Sequence, residues 1–352
     1  MSMHLITQRT TRYWICLLTL IGIQLFNSSQ IFTQLVLTQE IETYNLGQHL
    51  ELLEDESSSL NIDHIQNSND FIEHSSPFLS LGHSNSSYWL KIPLENNAER
   101  SDYMLTVSNS GLDEVDLYYP TKEGNYKLKK SGDKRPYKTR DFLTNSPTFK
   151  ISLISQKEHL LYLRLRSGQA IRTTVILSSE LAHMTQLTTA NYNNRLNLGL
   201  VLGRFIFHLA LLFIFFGNAK FRAFSFFGLV ACMMFVSGTG GAVSLFSGSP
   251  YFANLGGYLP YSLIITSFCY FVYVTFEVPK YFPKLKIIFW IFGLSGILFI
   301  AINLFINLSQ VTLAFEYTNL LMEAFIISFI CYAYAKGARP SIWYVIRSWF
   351  VL

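Results

Sequence analysis

Four ionisable residues stand inside apolar stretches, where charge is costly and by default suggests function: Arg204, His208, Glu316 and Glu323. Arg204 and His208 are four residues apart, and Glu316 and Glu323 are seven apart. Either spacing puts its pair on one face of a helix. A polar relay joining the two helices would form a two-state element that binding elsewhere can bias. The plainer reading puts Glu316 near the outer interface and lets Arg204 snorkel to the outer headgroups. A second group has the chemistry of ligand capture. Trp89, Tyr118 and Tyr137 could stack on a sugar, and Arg164 and Arg166 share a strand face that could hold an anionic ligand. Against this, mid-strand aromatics usually pack, so Trp89 reads first as core. Tyr118 and Tyr119 point to opposite faces, and a strand face with two arginines is more often simply solvated.

Other chemistries find no pattern. His64, His74, His83 and His159 are scattered without ligand spacing, so no metal is expected. Cys16, Cys232, Cys269 and Cys331 all lie in apolar runs, which leaves the polar region without a disulfide framework. Gly238, Gly240 and Gly241 close an apolar segment with no strand before them, and read as a helix end and close packing rather than a phosphate cradle. No catalytic motif, nucleotide-binding glycine pattern or cofactor site is found, so the expectation is a chain without enzymatic activity.

The elements that must position these residues fall into two regimes. Residues 27–194 hold 15 Lys and Arg against 20 Asp and Glu, a soluble composition of about one domain's length. Residues 195–352 hold 10 against 3, which is membrane composition. The net charge of +4 is therefore no argument for nucleic acid; its basic excess sits between apolar segments. Arg9 and Arg12 precede an apolar run from Tyr13 to Phe26, so residues 1–29 read as a cleaved export signal or a retained anchor. Residues 40–182 carry β-rich runs at 88–92, 103–107, 115–119, 160–166 and 172–177, separated by turn clusters, the pattern of an extracytoplasmic all-β sandwich. The Lys127–Lys138 region reads as a solvated basic loop. Residues 181–194 read as a polar, helical linker.

Residues 195–352 form an α-helical transmembrane bundle, with apolar segments at about 196–216, 221–245, 258–278, 285–308 and 311–335 and a sixth begun at 341–352. Loops bearing Lys220 and Arg222, then Lys280, Lys284 and Lys286, then Lys336 and Arg339, alternate with uncharged ones. The positive-inside rule makes those basic loops cytoplasmic and places residues 27–194 outside, in agreement with the export signal. The sixth segment is too short to span a bilayer, so the chain reads as truncated.

Several motifs follow in order: Tyr88-Trp89-Leu90-Lys91 and Asn96, Leu105-Thr106-Val107, Leu112-Asp113-Glu114-Val115-Asp116-Leu117-Tyr118, Gly132-Asp133, Arg140, Leu161-Tyr162-Leu163-Arg164, and Gly337-Ala338-Arg339-Pro340. With the topology, they resemble the bacterial receptors with seven transmembrane helices and diverse intracellular signalling modules. The resemblance implies a jelly-roll ectodomain similar to carbohydrate-binding modules, in a multi-domain protein of the bacterial inner (plasma) membrane. It implies a signal-transduction receptor that binds an extracellular small molecule, a carbohydrate among the candidates, and relays the event to a cytoplasmic signalling module or partner. Membrane lipid and a second copy in a homodimer complete the expected partners. The rival readings are a transporter, membrane-embedded enzyme or other multi-pass membrane protein, and a regulator that acts through a partner receptor.

Overall fold

Alternating side chains along two ten-residue strands build the core. In β6 (Ser87–Asn96), Tyr88, Leu90, Ile92 and Leu94 point inward; in β11 (Lys157–Arg166), Leu161, Leu163 and Leu165 lie directly opposite Ile92, Leu90 and Tyr88. The period-2 pattern makes this register the one that keeps all seven on one face. The computed structural model describes residues 34–121, 125–239, 246, 248–305 and 309–338. The expected export signal and sixth segment lie outside them, as do Arg339 and Pro340.

Within residues 35–179 the chain is an all-β sandwich. The first sheet runs β4 (Ile72–His74), β3 (Leu50–Asp55), β6, β11, β8 (Glu114–Pro120), β9 (Tyr126–Ser131), with β1 (Leu35–Leu37) parallel to β6. The second runs β10 (Thr148–Ser152), β7 (Asp102–Val107), β13 (Val175–Ser179), β2 (Thr43–Asn45). A separate pair joins β5 (Leu79–Gly82) to β12 (Ile171–Thr173). Tyr103, Leu105, Phe149, Ile151, Val175 and Leu177 supply the facing half of the core. Each such fully buried side chain stabilises the fold by about 1.5–3 kcal/mol. The basic run expected as a loop is, over Tyr126–Ser131, the edge strand β9, where Lys127, Lys129 and Lys130 discourage pairing with another chain.

A smaller cluster covers the outer face of the first sheet. Leu53, Trp89 and Tyr162 are buried there beneath Ile65 of the short helix α1 (Ile62–Gln66). The turn leading to α1 is held by Asp55, which is 3% exposed. Burial alone would raise its pKa, but the Ser57 hydroxyl at 2.6 Å and the Leu60 N–H at 3.0 Å, among other donors, hold the carboxyl below its ordinary 3.8. A carboxylate with a depressed pKa contributes stability that is present above the unfolded value and lost as pH falls through the folded one. The sandwich is therefore expected to weaken below about pH 4. Melting curves of wild type and Asp55→Asn at neutral pH and near pH 3 test this; an equal acid loss in both would exclude Asp55 as a source.

Helix α2 (Glu180–Ile214) leaves β13 at once, with the Ser179 hydroxyl accepting from the Ala182 N–H at 3.1 Å as its cap. The expected linker and first apolar segment are thus one helix of 35 residues. From Thr188 to Leu200 every residue is exposed. Then follow α3 (Ala219–Gly238), α4 (Pro250–Thr275), the short α5 (Val278–Tyr281), α6 (Lys286–Phe305) and α7 (Ser309–Ala335). Among the described residues four stretches are long and apolar enough to cross a membrane: Glu180–Ile214, Ala219–Gly238, Pro283–Ile302 and Leu313–Ala335. The third expected segment falls on α4, 26 residues long with Pro260 within, whose part Leu259–Thr275 is apolar. Gly238 closes α3, as the helix-end reading expects, while Gly240 and Gly241 lie outside the described residues.

Candidate functional site

The sandwich face expected to capture ligand is filled by the protein itself. Trp89 is fully buried, its ring 5.4 Å from that of Tyr118. Register sets Arg164 directly across from Asp116 and Arg166 across from Glu114. Arg164 approaches both carboxylates at 3.5 Å and donates to the Ser87 hydroxyl at 2.9 Å and the Ser58 carbonyl at 3.2 Å. Arg135 grips the other oxygen of Asp116 and donates to the Ser131 carbonyl at 3.0 Å. The guanidinium of Arg164 is thus engaged by two carboxylates, a hydroxyl and a carbonyl of the fold. Arg166, with 45% of its side chain exposed, stands 3.8 Å from Glu114 at the rim. Tyr137 lies apart, in a turn at Tyr137–Thr139, with the Arg140 guanidinium 5.0 Å over its ring.

The ordered motif residues likewise brace loops. Arg140 is buried and donates to the carbonyls of Gly132, Thr144 and Asn145; its burial draws its pKa below the ordinary guanidinium value. Asp113 accepts from the Gly168 N–H at 2.9 Å and pairs with Lys134 at 2.6 Å. Asn96 donates to the carbonyls of Arg100 and Leu153, each at 2.9 Å, and accepts from the Tyr103 hydroxyl at 3.2 Å.

Polar chemistry concentrates instead where the sandwich meets the helices. His83 follows β5 directly, and its side chain is 6% exposed. Its Nε2 lies 3.1 Å from the Glu316 carboxylate of α7 without hydrogen-bond alignment, and Nδ1 has no partner. The contact becomes an ion pair when the ring carries a second proton. Three residues beyond Glu316, Asn319 donates to the Tyr261 hydroxyl of α4 at 3.4 Å. Four further on, Glu323 lines a cavity of 360 Å³ between α3, α4 and α7, shared with Tyr261 and Asn319. Positions 316, 319 and 323 follow one face of α7, so a polar track leads from His83 into the bundle. A second tie is the Asn145 amide, which donates to the Thr239 carbonyl at the end of α3 at 3.0 Å.

Of the four residues expected to form a relay, the two glutamates lie on this track, and His208 packs elsewhere. His208 is buried against α3: its ring lies 5.1 Å from Phe224, and a Cβ on Gly228 would fall 2.2 Å from it. The link between the first and fifth apolar helices therefore does not run through His208; the glutamates face His83 and α4. His83 shares no spacing pattern with the other histidines. The one signal that could have found part of the track was Asn319, a polar residue three positions from Glu316 in an apolar run. Such a track can transmit a change in the β5–β12 pair to α4 and α7 by making or breaking charged contacts.

Residues 47–179 match the family model described as 7TMR-DISM extracellular 2. No curated protein matches the chain. Among solved structures, TmCBM61 in complex with beta-1,4-galactotriose is similar at 12% identity and a TM-score of 0.20, over 39% of this chain and 84% of that one. A family 6 carbohydrate-binding module is similar at 12% identity and a TM-score of 0.17, over 36% of this chain and 92% of that one.

Proposed function

We propose, from the premise that residues 47–179 belong to the 7TMR-DISM extracellular 2 family, that this chain senses an extracellular small molecule and passes the event through its helices. The protein spans the membrane, and the reading places it as a multi-pass protein of the bacterial plasma membrane with the sandwich outside. The observation that carries the proposal is the contact of His83 with Glu316, which ties a sandwich loop to a membrane helix. Ligand binding would favour one arrangement of the β5–β12 pair, and the track along α7 would shift with it. Carbohydrate is the first ligand class to test. The output passes to a cytoplasmic module or partner, and the chain itself catalyses nothing.

The test uses the full chain in lipid nanodiscs, a panel of short oligosaccharides, and a fluorophore on Cys331, an exposed thiol of α7. A binding sugar is expected to raise the melting temperature and change the fluorescence. Glu316→Gln should keep the first effect and lose about fivefold or more of the second, the lower bound for a coupling of about 1 kcal/mol. A sugar that binds wild type without any fluorescence change would leave a binding module and remove the relay. No binding across the panel would remove carbohydrate as the ligand class, and solute flux in vesicles would favour the transporter.

A further inference from the structure

The helix ends farthest from the sandwich contacts enclose a site of their own. Lys220 at the start of α3 bonds Glu277, just past α4, at 2.7 Å, and Lys280 approaches the same carboxylate at 3.7 Å. The pairing holds the Glu277 carboxyl below its usual range. Glu277 itself has φ +47, in the left-handed region that a non-glycine residue enters at a cost. Beside this latch lies a cavity of 440 Å³ lined by Lys220, Thr275, Glu277, Phe282, Tyr332 and Lys336, among others. Thr275 is 4% exposed, and its hydroxyl has no partner. Lys336 stands 6.0 Å over the Tyr332 ring.

Charge decides which ligand fits. Three ammonium groups and one carboxylate leave two positive charges. The ends of α4 and α7 are helix C-termini and subtract about half a charge each, while the start of α3 at Lys220 is a helix N-terminus and adds about half. Roughly one to two positive charges remain, beside a buried hydroxyl free to donate. We propose that this cavity binds a phosphate group, with Lys220 and Lys336 as its cations and the Thr275 hydroxyl as its donor. Basic pockets between transmembrane helices on the cytoplasmic side suit anionic lipid headgroups; free phosphate offers the same chemistry. The site depends on the bundle lying in a membrane, not on the sandwich sensing anything, so it stands or falls separately from the receptor reading.

The test places the full chain in nanodiscs of phosphatidylcholine, alone or with phosphatidylglycerol, and follows amine labelling of each lysine by mass spectrometry. Phosphatidylglycerol is expected to slow labelling of Lys220 and Lys336 about fivefold. Lys284 and Lys286, outside the cavity lining, measure the general attraction of an anionic surface. Thr275→Val, which keeps the side-chain volume, should reduce the protection of both lysines about threefold, and Lys336→Gln should reduce that of Lys220. Protection by inorganic phosphate in phosphatidylcholine discs would assign the site to the free anion; protection by phosphatidylglycerol alone would assign it to the lipid. Protection no greater than at Lys284 and Lys286, or untouched by both variants, would overturn the proposal.

Discussion

Asp116→Ala is expected to cost the sandwich about 3 kcal/mol and to lower its melting temperature by roughly 10 °C. Asp116 is 3% exposed, and the guanidiniums of Arg135 and Arg164 both turn to it. An intact buried ion pair adds little net stability, because desolvation offsets its attraction. Removing Asp116 is another matter, since the two cations then keep only Glu114, at 3.6 and 3.5 Å, in a poorly hydrated layer. Their side chains keep 18% and 16% of their exposure, so some water reaches them, which argues for the low end of the 3–5 kcal/mol range. Arg166→Ala removes an exposed rim partner and should cost less than about 1 kcal/mol. Thermal unfolding of the purified chain compares the two, and equal losses would show that Asp116 is not the anchor of the cluster.

Gly132→Ala should be of similar severity for a steric reason. Gly132 has φ +132, and a Cβ there would lie 2.1 Å from the carbonyl oxygen of Asp113. The obstacle is backbone, so no side-chain rotation relieves it, and a loss of about 3 kcal/mol is expected. The damage should spread, because the Asp133 N–H bonds the Leu112 carbonyl at 2.8 Å and Arg140 bonds the Gly132 carbonyl at 3.0 Å. Gly111→Ala is the control: a Cβ there meets only the Asn109 side chain, at 3.5 Å, and the change should stay within about 0.5 kcal/mol. Indistinguishable unfolding of the two variants would refute the close approach.

What could be read from residues alone divides along physical lines. The alternation in Tyr88–Ile92 and Leu161–Arg166 located the central strands, because a sheet with one buried face imposes that period. Strands β2 to β5 were not legible: they are three to six residues long, lie in an acidic, Ser-rich stretch, and owe their conformation to pairing partners distant in the chain. Face-sharing of Arg164 and Arg166 was legible, yet their partners Asp116 and Glu114 emerge only from cross-strand register. Glu316 and Glu323 stood out because charge in an apolar run is costly. Their neighbours did not, since helical periodicity fixes which residues share a face but not which helix that face meets. His83 carried no pattern at all; the direction in which β5 ends brings it to Glu316.

The unbroken course of α2 has a geometric consequence. At 1.5 Å per residue its 35 residues make a strut about 52 Å long, anchored at one end by the Ser179 cap. Each residue turns the helix by about 100°. The number of residues between Ser179 and the membrane half therefore sets the azimuth at which the sandwich sits over the other helices. Losing one residue from the stretch Thr188–Arg195 would swing the sandwich by more than a quarter turn and carry His83 away from Glu316, with every side chain of the track unchanged. The polar stretch of α2, exposed along its length, thus acts as the gauge that keeps the two halves in phase.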